Sequence, residues 1–397
     1  MLENNKLPKD WKLVKLGDIV TLSSQKHSPV KPEYIFYIGL EHIEKHTGKL
    51  TSKVGLEKIT TIKNKFSKGD ILYGKLRPNL NKVYLSKEEG VCSTDILVLK
   101  LSEECIGKYL HPIMFSTTFV NKMSDNTSGV NLPRVSTKFI LNYEIPLPPL
   151  ETQQAIVSKI EELFSELDKG IEDLKTAQQQ LKTYRQSVLK YAFEGKKRIL
   201  FETIVESSQN GLSKRSGSDG EEFNVLRLAD IKNNIIVIDN PRKIRMTSSE
   251  IVKYKLNEND LVCIRVNGSK DLVGKLVFIT NNDDKNKWAY CDHFIRFTLK
   301  INFSSKFIHY YFQTIEVRKF IHDNMVTSAG QNTVSQVTIK NIFVPDCILE
   351  EQHRIIQEIE SRLSVADKME ESIAQSLQQA EALRQSILKK AFKGEPI

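Results

Sequence analysis

The sequence predicts an α+β protein built twice over: two sheet-plus-helix globes separated by two long antiparallel coiled-coil helices, in an internal pseudo-two-fold repeat. Three observations predict it. The segment RQSVLKYAFEG at 185–195 matches RQSILKKAFKG at 384–394 at eight of eleven positions, an offset of 199 residues. The offset persists without a gap back through Leu150-Glu151 and Leu349-Glu350, Ile156 and Ile355, Ile160-Glu161 and Ile359-Glu360, and Asp168-Lys169 and Asp367-Lys368. Half the chain therefore copies the other half, and two units are too few for a solenoid. Both copies carry one apolar stripe at helical spacing, and ahead of each lie short apolar or alternating runs divided by turn residues, which read as strands. A chain of 397 residues also exceeds one ordinary core.

In chain order, residues 1–146 form the first globe. Strands are expected at 34–40, 70–73, 82–85 and 95–101, a helical stretch at 109–123, a polar loop at Ser128-Gly129 and a return through Ile145-Pro146. Residues 147–199 form the first spacer helix. Its Ile160, Leu163, Leu167, Ile171, Leu174, Ala177, Leu181, Tyr184 and Val188 step by three and four residues, which is a coiled-coil seam. Pro148-Pro149 precede its start and Gly195 follows its last turn. Gly170 is an interior exception that weakens the helix by roughly 1 kcal/mol relative to alanine and marks a place to bend. Residues 200–343, the second globe, echo the first: strands at 225–231, 260–266, 274–279 and 293–299, a helix at 307–321 and a loop at 328–330. The segment 207–220 is the most loop-like and reads as a mobile surface loop. Residues 344–397 repeat the spacer helix, with Ile355, Ile359, Leu363, Ala366, Ile373, Leu377, Ala380, Leu383 and Ile387 along its stripe and Pro345 and Gly394 at its ends. At about 1.5 Å per residue, roughly 43 helical residues reach about 65 Å, longer than one globe can cover. Each helix needs a partner, and the other copy is the candidate.

Composition narrows the function. With 40% hydrophobic and 27% charged residues the chain is globular, not disordered or fibrous. No run approaches the roughly 18 apolar residues of a membrane span, and the start lacks a secretory apolar core, so a cytoplasmic protein is expected. Cys92, Cys105, Cys263, Cys291 and Cys347 are odd in number, dispersed and free of C-x-x-C pairs. Buried thiols fit them better than a disulfide framework or a structural zinc. Of the net charge of +9, residues 1–150 hold +7, 151–200 hold +1, 201–350 hold +2 and 351–397 hold −1. A basic leading globe suits a polyanion partner.

No motif in the sequence carries a convincing catalytic constellation. Gly69-x4-Gly74-Lys75 opens like a phosphate-binding loop, but Leu76 stands where the magnesium-binding hydroxyl belongs and the intervening Asp-Ile-Leu-Tyr reads as a strand. No G-x-G-x-x-G opens a helix, and Pro148-Pro149 lacks the flanking residues of an amino-methyltransferase motif. His293 lies near Cys263 and Cys291 without an orienting group legible in sequence, so core cysteines remain the better reading. No cofactor, metal or catalytic residue is assigned.

What remains is side chains suited to bases and phosphates. Lys75, Arg77, Asn79, Asn81 and Lys82 fall within eight residues, with Pro78 stiffening the turn among them. Arginine can donate two hydrogen bonds to guanine, asparagine pairs with adenine, and lysine neutralises phosphate. The corresponding stretch of the second globe holds Arg265, Asn267, Ser269, Lys270 and Lys275. Later loops add Asn126, Ser128, Asn131 and Arg134 in the first globe, and Ser328, Gln331 and Asn332 in the second. Any one of these could be a solvated turn residue. Their recurrence at equivalent places favours DNA contact.

These residues resemble the DNA specificity subunits of type I restriction-modification systems, over essentially the whole chain. The resemblance rests on Leu7, Pro8, Trp11, Leu16, Gly17 and Asp18, on GDILYGKLRPNLNKV at 69–83, on IPLPPLETQQAIV at 145–157, and on the duplicated helix ends. It implies two target recognition domains, 1–146 and 200–343, each reading one half of a split, asymmetric site in double-stranded DNA. Spacer helices would dock two methyltransferase subunits, which hold the methyl donor and methylate adenine, and restriction/translocase subunits would join the full complex. This chain would be the non-catalytic reader. The second globe departs from the pattern, since no residue after Ile199 matches Trp11 and Asn259-Asp260-Leu261 replaces Gly-Asp-Ile. Two alternatives stand beside this reading: a coiled-coil scaffold protein without sequence-specific DNA reading, which leaves the paired polar clusters idle, and an enzyme in its own right, which lacks a site.

Overall fold

The computed structural model describes residues 7–27, 36–55, 61–232, 235–236, 240–278 and 287–397. The chain divides into two compact units, Met1–Lys175 with Ala374–Ile397, and Thr176–Ile373. Each unit takes in one globe and a stretch of both long helices, Leu150–Phe193 and Leu349–Ala391.

In the first unit, Lys12–Lys15 pairs antiparallel with Glu144–Leu147, tying the start of the globe to its return. A four-stranded antiparallel sheet follows in the order Val20–Leu22, Ile96–Leu101, Ile71–Gly74, Val83–Leu85. Phe36–Ile38 runs parallel to Gly90–Cys92 in a second sheet of five strands. Helices Gly107–Phe115 and Thr117–Ser124 replace the single expected helical stretch, because Ser116 adopts extended backbone and caps the second helix by accepting from the Phe119 amide. One face of the four-stranded sheet and these helices bury a core that includes Ile71, Tyr73, Tyr109 and Phe119. The long helices close it with Val157 and Ile160 from the first and Ile387, Leu388 and Ala391 from the second.

The second unit repeats this plan. Arg198–Leu200 pairs with Phe343–Pro345, and the four-stranded sheet runs Val205–Asn210, Phe294–Leu299, Leu261–Ile264, Leu276–Phe278. Helices Ser305–Tyr311 and Ile315–Asn324 cover it, and Phe193, Ile355 and Ile359 from the long helices join its core. Here the two long helices run antiparallel: Arg185 reaches Asp367 at 2.5 Å and Glu370 at 2.8 Å, while Lys196 reaches Glu351 at 2.5 Å. In the first unit Arg384, 199 residues after Arg185, pairs with Asp168, 199 residues before Asp367.

The same offset governs the joints between helix and globe. Gln153 and Gln352 are fully buried. The Gln153 amide oxygen accepts from the Ile106 N–H at 2.9 Å, and its nitrogen donates to the carbonyls of Glu104 and Pro148. Gln352 accepts from the Ser304 N–H at 2.8 Å and donates to the carbonyls of Asn302 and Cys347. Each joint is thus locked by three hydrogen bonds in a dry site.

The structure corrects two expectations and refines others: the strand expected at 225–231 ends at Leu226, and a short 3-10 helix spans Leu228–Asp230. Residues 207–210 of the expected mobile loop belong to the strand Val205–Asn210, paired with Phe294–Leu299 through Asn210 opposite Ile295, so the irregular stretch begins at Gly211. Residues 34–35 of one expected strand and Ile279 of another lie outside the described residues. The first long helix continues unbroken through Gly170. Most seam positions are buried or half-buried, but Tyr184 and its counterpart Leu383 are 42% and 52% exposed. Among the described residues no helix is long and apolar enough to cross a membrane.

Candidate nucleic-acid interface

The candidate residues of the first unit gather where the strand Ile71–Gly74 ends. The expected strand between Gly69 and Gly74 is present and is paired on both sides, which leaves no loop to cradle a phosphate. Beyond it the Lys75 N–H donates to the Asp95 carbonyl and the Lys75 carbonyl accepts from Val135, each at 3.1 Å. The short strands Thr127–Ser128 and Arg134–Val135 form a hairpin, and a bridge between Leu76 and Arg134 fastens its stem to the segment after the sheet. The Arg77 N–H to Pro133 carbonyl bond of 2.7 Å completes the clamp. Sequence positions some 55 residues apart are brought together in this way.

Exposure then divides the candidates. Arg77, Asn79 and Asn131 are exposed, and an Arg77 guanidinium nitrogen lies 3.5 Å from the Asn131 carbonyl. Lys75 is half-buried. Arg134 is half-buried and engaged with the Asp95 carboxylate at 3.3 Å. Lys82 donates its ammonium to the Leu40 carbonyl at 2.5 Å. Asn81 is buried, and its side-chain oxygen has no hydrogen-bond partner among the described residues. Asn81 thus lies beneath the cluster, while half-buried Lys82 is engaged by a backbone carbonyl.

Sequence reasoning missed the loop 44–49, whose Lys45, His46 and Lys49 are exposed. The His46 N–H donates to the Asn81 carbonyl at 3.3 Å, which docks this loop beside the cluster. His46, Arg77 and Asn81 all take left-handed backbone, with φ of 62°, 50° and 43°. Histidine and asparagine are common occupants of that region and arginine is not, so the turn holding Arg77 stores local strain. No sequence pattern signals such a contact, which joins residues 35 positions apart.

The second unit assembles the same parts with different side chains. Val266–Asn267 pairs with Gln331–Thr333, which pairs with Val326–Ser328. Ser269, Lys270 and Gln331 are exposed. Asn332 is buried and serves the fold: it donates to the Asn267 and Gly268 carbonyls and accepts from the Thr327 hydroxyl at 2.8 Å. Asn267 caps its own turn by accepting from the Ser269 N–H at 2.8 Å. Arg265 donates to the Asp292 carbonyl at 3.3 Å. Lys275 is half-buried, and burial, reinforced by the nearby Arg318 guanidinium, holds its ammonium below the usual lysine range.

Among the described residues, Cys291, Asp292 and His293 form the cluster that brings one potential metal-ligand atom each within 4.8 Å of one another. Burial pushes the Cys291 thiol up from its ordinary range.

Comparison with known proteins decides the family. The family described as the type I restriction modification DNA specificity domain matches residues 8–176. The type I restriction enzyme StySPI specificity subunit of Salmonella potsdam is 30% identical over 99% of this chain and 91% of its own length. The chain belongs to the type I restriction enzyme specificity subunits. The EcoKI specificity subunit of Escherichia coli K12 is 26% identical over 98% of this chain and 90% of its own. The fold is shared with the HsdS subunit from Thermoanaerobacter tengcongensis, at a TM-score of 0.56 and 20% identity over the full length of both chains. It is also shared with a chain from a structure concerned with complex assembly and conformational transition of the type I R-M system, at 0.78 and 20% identity over 98% and 99%.

Within this specificity subunit, the departures of the second copy from the family motif have physical equivalents. Gly69 and Asn259 both sit at positive φ, 92° and 63°, two residues before the first residue of a strand. Glycine and asparagine are the residues that tolerate this conformation best. Asp70 and Asp260, the next residues, each accept a backbone N–H three positions back, from Ser67 at 2.8 Å and Asn257 at 2.7 Å. Trp11 of the specificity subunit packs close to Gly394, whose φ is 70° and whose missing side chain leaves room for Pro8. The second unit is entered from the first long helix, so its counterpart of that contact is covalent chain.

Proposed function

We propose that this specificity subunit is the DNA reader of a type I restriction-modification complex. Its two globes, taken as 1–146 and 200–343, each recognise one half of a split, asymmetric duplex site. The helical segments 147–199 and 344–397 dock two methyltransferase subunits, and restriction/translocase subunits join the full complex. The chain itself is non-catalytic: methyl transfer to adenine, with its donor, belongs to the partners.

One observation carries this reading. A strand end and a hairpin recur at equivalent places in both units, Lys75–Asn81 beside 127–135 and Arg265–Lys270 beside 326–333, on a matching sheet but with different exposed side chains. Arg77, Asn79 and Asn131 in one unit, and Ser269, Lys270 and Gln331 in the other, supply guanidinium, amide, hydroxyl and ammonium donors to water. These are the groups that read base edges and neutralise phosphates. A shared frame with unlike tips is what two unlike half-sites require.

The reading is tested on the chain assembled with its methyltransferase subunits. Methylome sequencing of a host carrying that complex should return one split motif with adenine methylated in each half. Arg77→Ala should weaken binding by about 1–3 kcal/mol at one base pair of one half-site if Arg77 reads a guanine. Equal weakening on every sequence would make Arg77 a phosphate contact, and no methylation pattern at all would refute the reader role.

A further inference from the structure

The hairpin of the first unit ends in a feature that the polar reading does not use. Val130 is 99% exposed and Leu132 is 48% exposed. Hairpin tips favour glycine, asparagine and aspartate, and Gly129 at φ 93° already supplies the conformational freedom this turn needs. A Cβ at position 129 would also lie 3.3 Å from the Leu132 carbonyl oxygen. Nothing in the local fold calls for a valine at the next position, where its two methyl groups meet only water. The stem is fastened by the Arg77–Pro133, Val135–Lys75 and Arg134–Asp95 contacts. The tip is therefore presented beside exposed Arg77 and Asn131 and not collapsed onto a core. In the second unit the equivalent tip carries Ser328, Ala329, Gly330 and Gln331, with an amide where the first has aliphatic groups.

We propose that Val130, with Leu132 beside it, reads the 5-methyl group of a thymine in the half-site contacted by the first unit. This rests on the DNA-reading role proposed above and adds to it the class of base. Apolar side chains discriminate thymine in the major groove by contact with that methyl, which no other base presents there. The neighbouring donors of Arg77 and Asn131 explain why the occupant is DNA. An apolar tip bordered by a guanidinium and an amide suits a base edge flanked by polar groups.

The test uses the methyltransferase-loaded complex and duplexes bearing its own methylated motif, with each thymine replaced singly by deoxyuridine. Wild type should lose about fourfold in affinity at one thymine, the worth of one buried methyl group. Val130→Ser, a change at a fully exposed tip that leaves the core intact, should bind the normal site about fourfold more weakly. It should no longer distinguish thymine from uracil at that position, while all other thymines respond as in wild type. Retained discrimination at every position in Val130→Ser, or no discrimination anywhere in wild type, would overturn the proposal. So would a variant whose DNA affinity is normal but whose assembly with the methyltransferase fails, since the tip would then belong to a protein interface. A wild-type complex without any sequence preference would instead refute the DNA-reading role itself, and this proposal with it.

Discussion

Gln153 is the residue whose removal the fold should feel most at the joint between helix and globe. Its amide satisfies one N–H and two carbonyls in a site closed to water. Gln153→Ala strands all three and should lower the stability of the assembled chain by on the order of 3 kcal/mol, read as a shift in the urea midpoint. Gln352→Ala should do the same in the second unit, and a loss under about 0.5 kcal/mol in both would show that water replaces the amide. A second pair at this scale is His111 and His309. Burial holds both imidazoles down at about 4. His309 donates or accepts at both ring nitrogens, with the Leu276 carbonyl and the Gln313 amide each 2.8 Å away. A base whose folded pKa lies below its unfolded value of 6.5 leaves the unfolded chain to bind the proton first. Stability is therefore intact above pH 6.5 and is lost as pH falls from there to about 4, by up to about 3 kcal/mol per histidine. Asp70 and Asp260, whose carboxyls burial holds above the usual range, offset part of this at the acid end. His309→Gln should flatten the dependence of the unfolding midpoint between pH 7 and pH 5, and an unchanged slope would contradict the assignment.

At the scale of elements, the long helices were legible because their signal is periodic and repeated. The offset of 199 residues located matching ends, and the structure keeps it in ion pairs, buried glutamines and the exposed pair Tyr184 and Leu383. The four strands expected at 70–73, 82–85, 95–101 and 293–299 are present because runs such as Ile-Leu-Val-Leu suit a buried pleat. The strand at 207–210 was hidden because Ser-Ser-Gln-Asn has low strand preference. Pairing with Phe294–Leu299 overrides that preference, and tertiary partners are invisible in a local window. Burial of Asn81 and Asn332 was hidden for the same reason, since both look like turn residues until partners distant in sequence, the loop around His46 for one and the strand Val266–Asn267 for the other, pair with their backbone. Gly170 bears no neighbour within 4 Å at its Cβ position, inside an unbroken helix. Gly170→Ala should therefore raise stability by about 1 kcal/mol without altering DNA specificity, measured as a rise in the unfolding midpoint and an unchanged methylated motif. A drop in stability would mean that the helix needs to bend there.

For the whole molecule, duplication explains both what the two units share and where they differ. The four-stranded sheets have the same strand order, the joints use the same glutamine, and the strand-initiating turns use Gly69 and Asn259 for one backbone geometry. The tips differ in their exposed side chains, with Arg77, Val130 and Asn131 in the first unit and Ser269, Lys270 and Gln331 in the second. The central claim is that each unit reads its half-site independently on a common frame. It is tested most directly by exchanging residues 200–343 for the matching segment of a relative with a different motif, and sequencing the methylome of a host carrying the chimera with its methyltransferase. The account predicts that one half of the split motif changes to the donor's and the other half is kept. Change in both halves, or methylation that keeps the original motif intact, would contradict it.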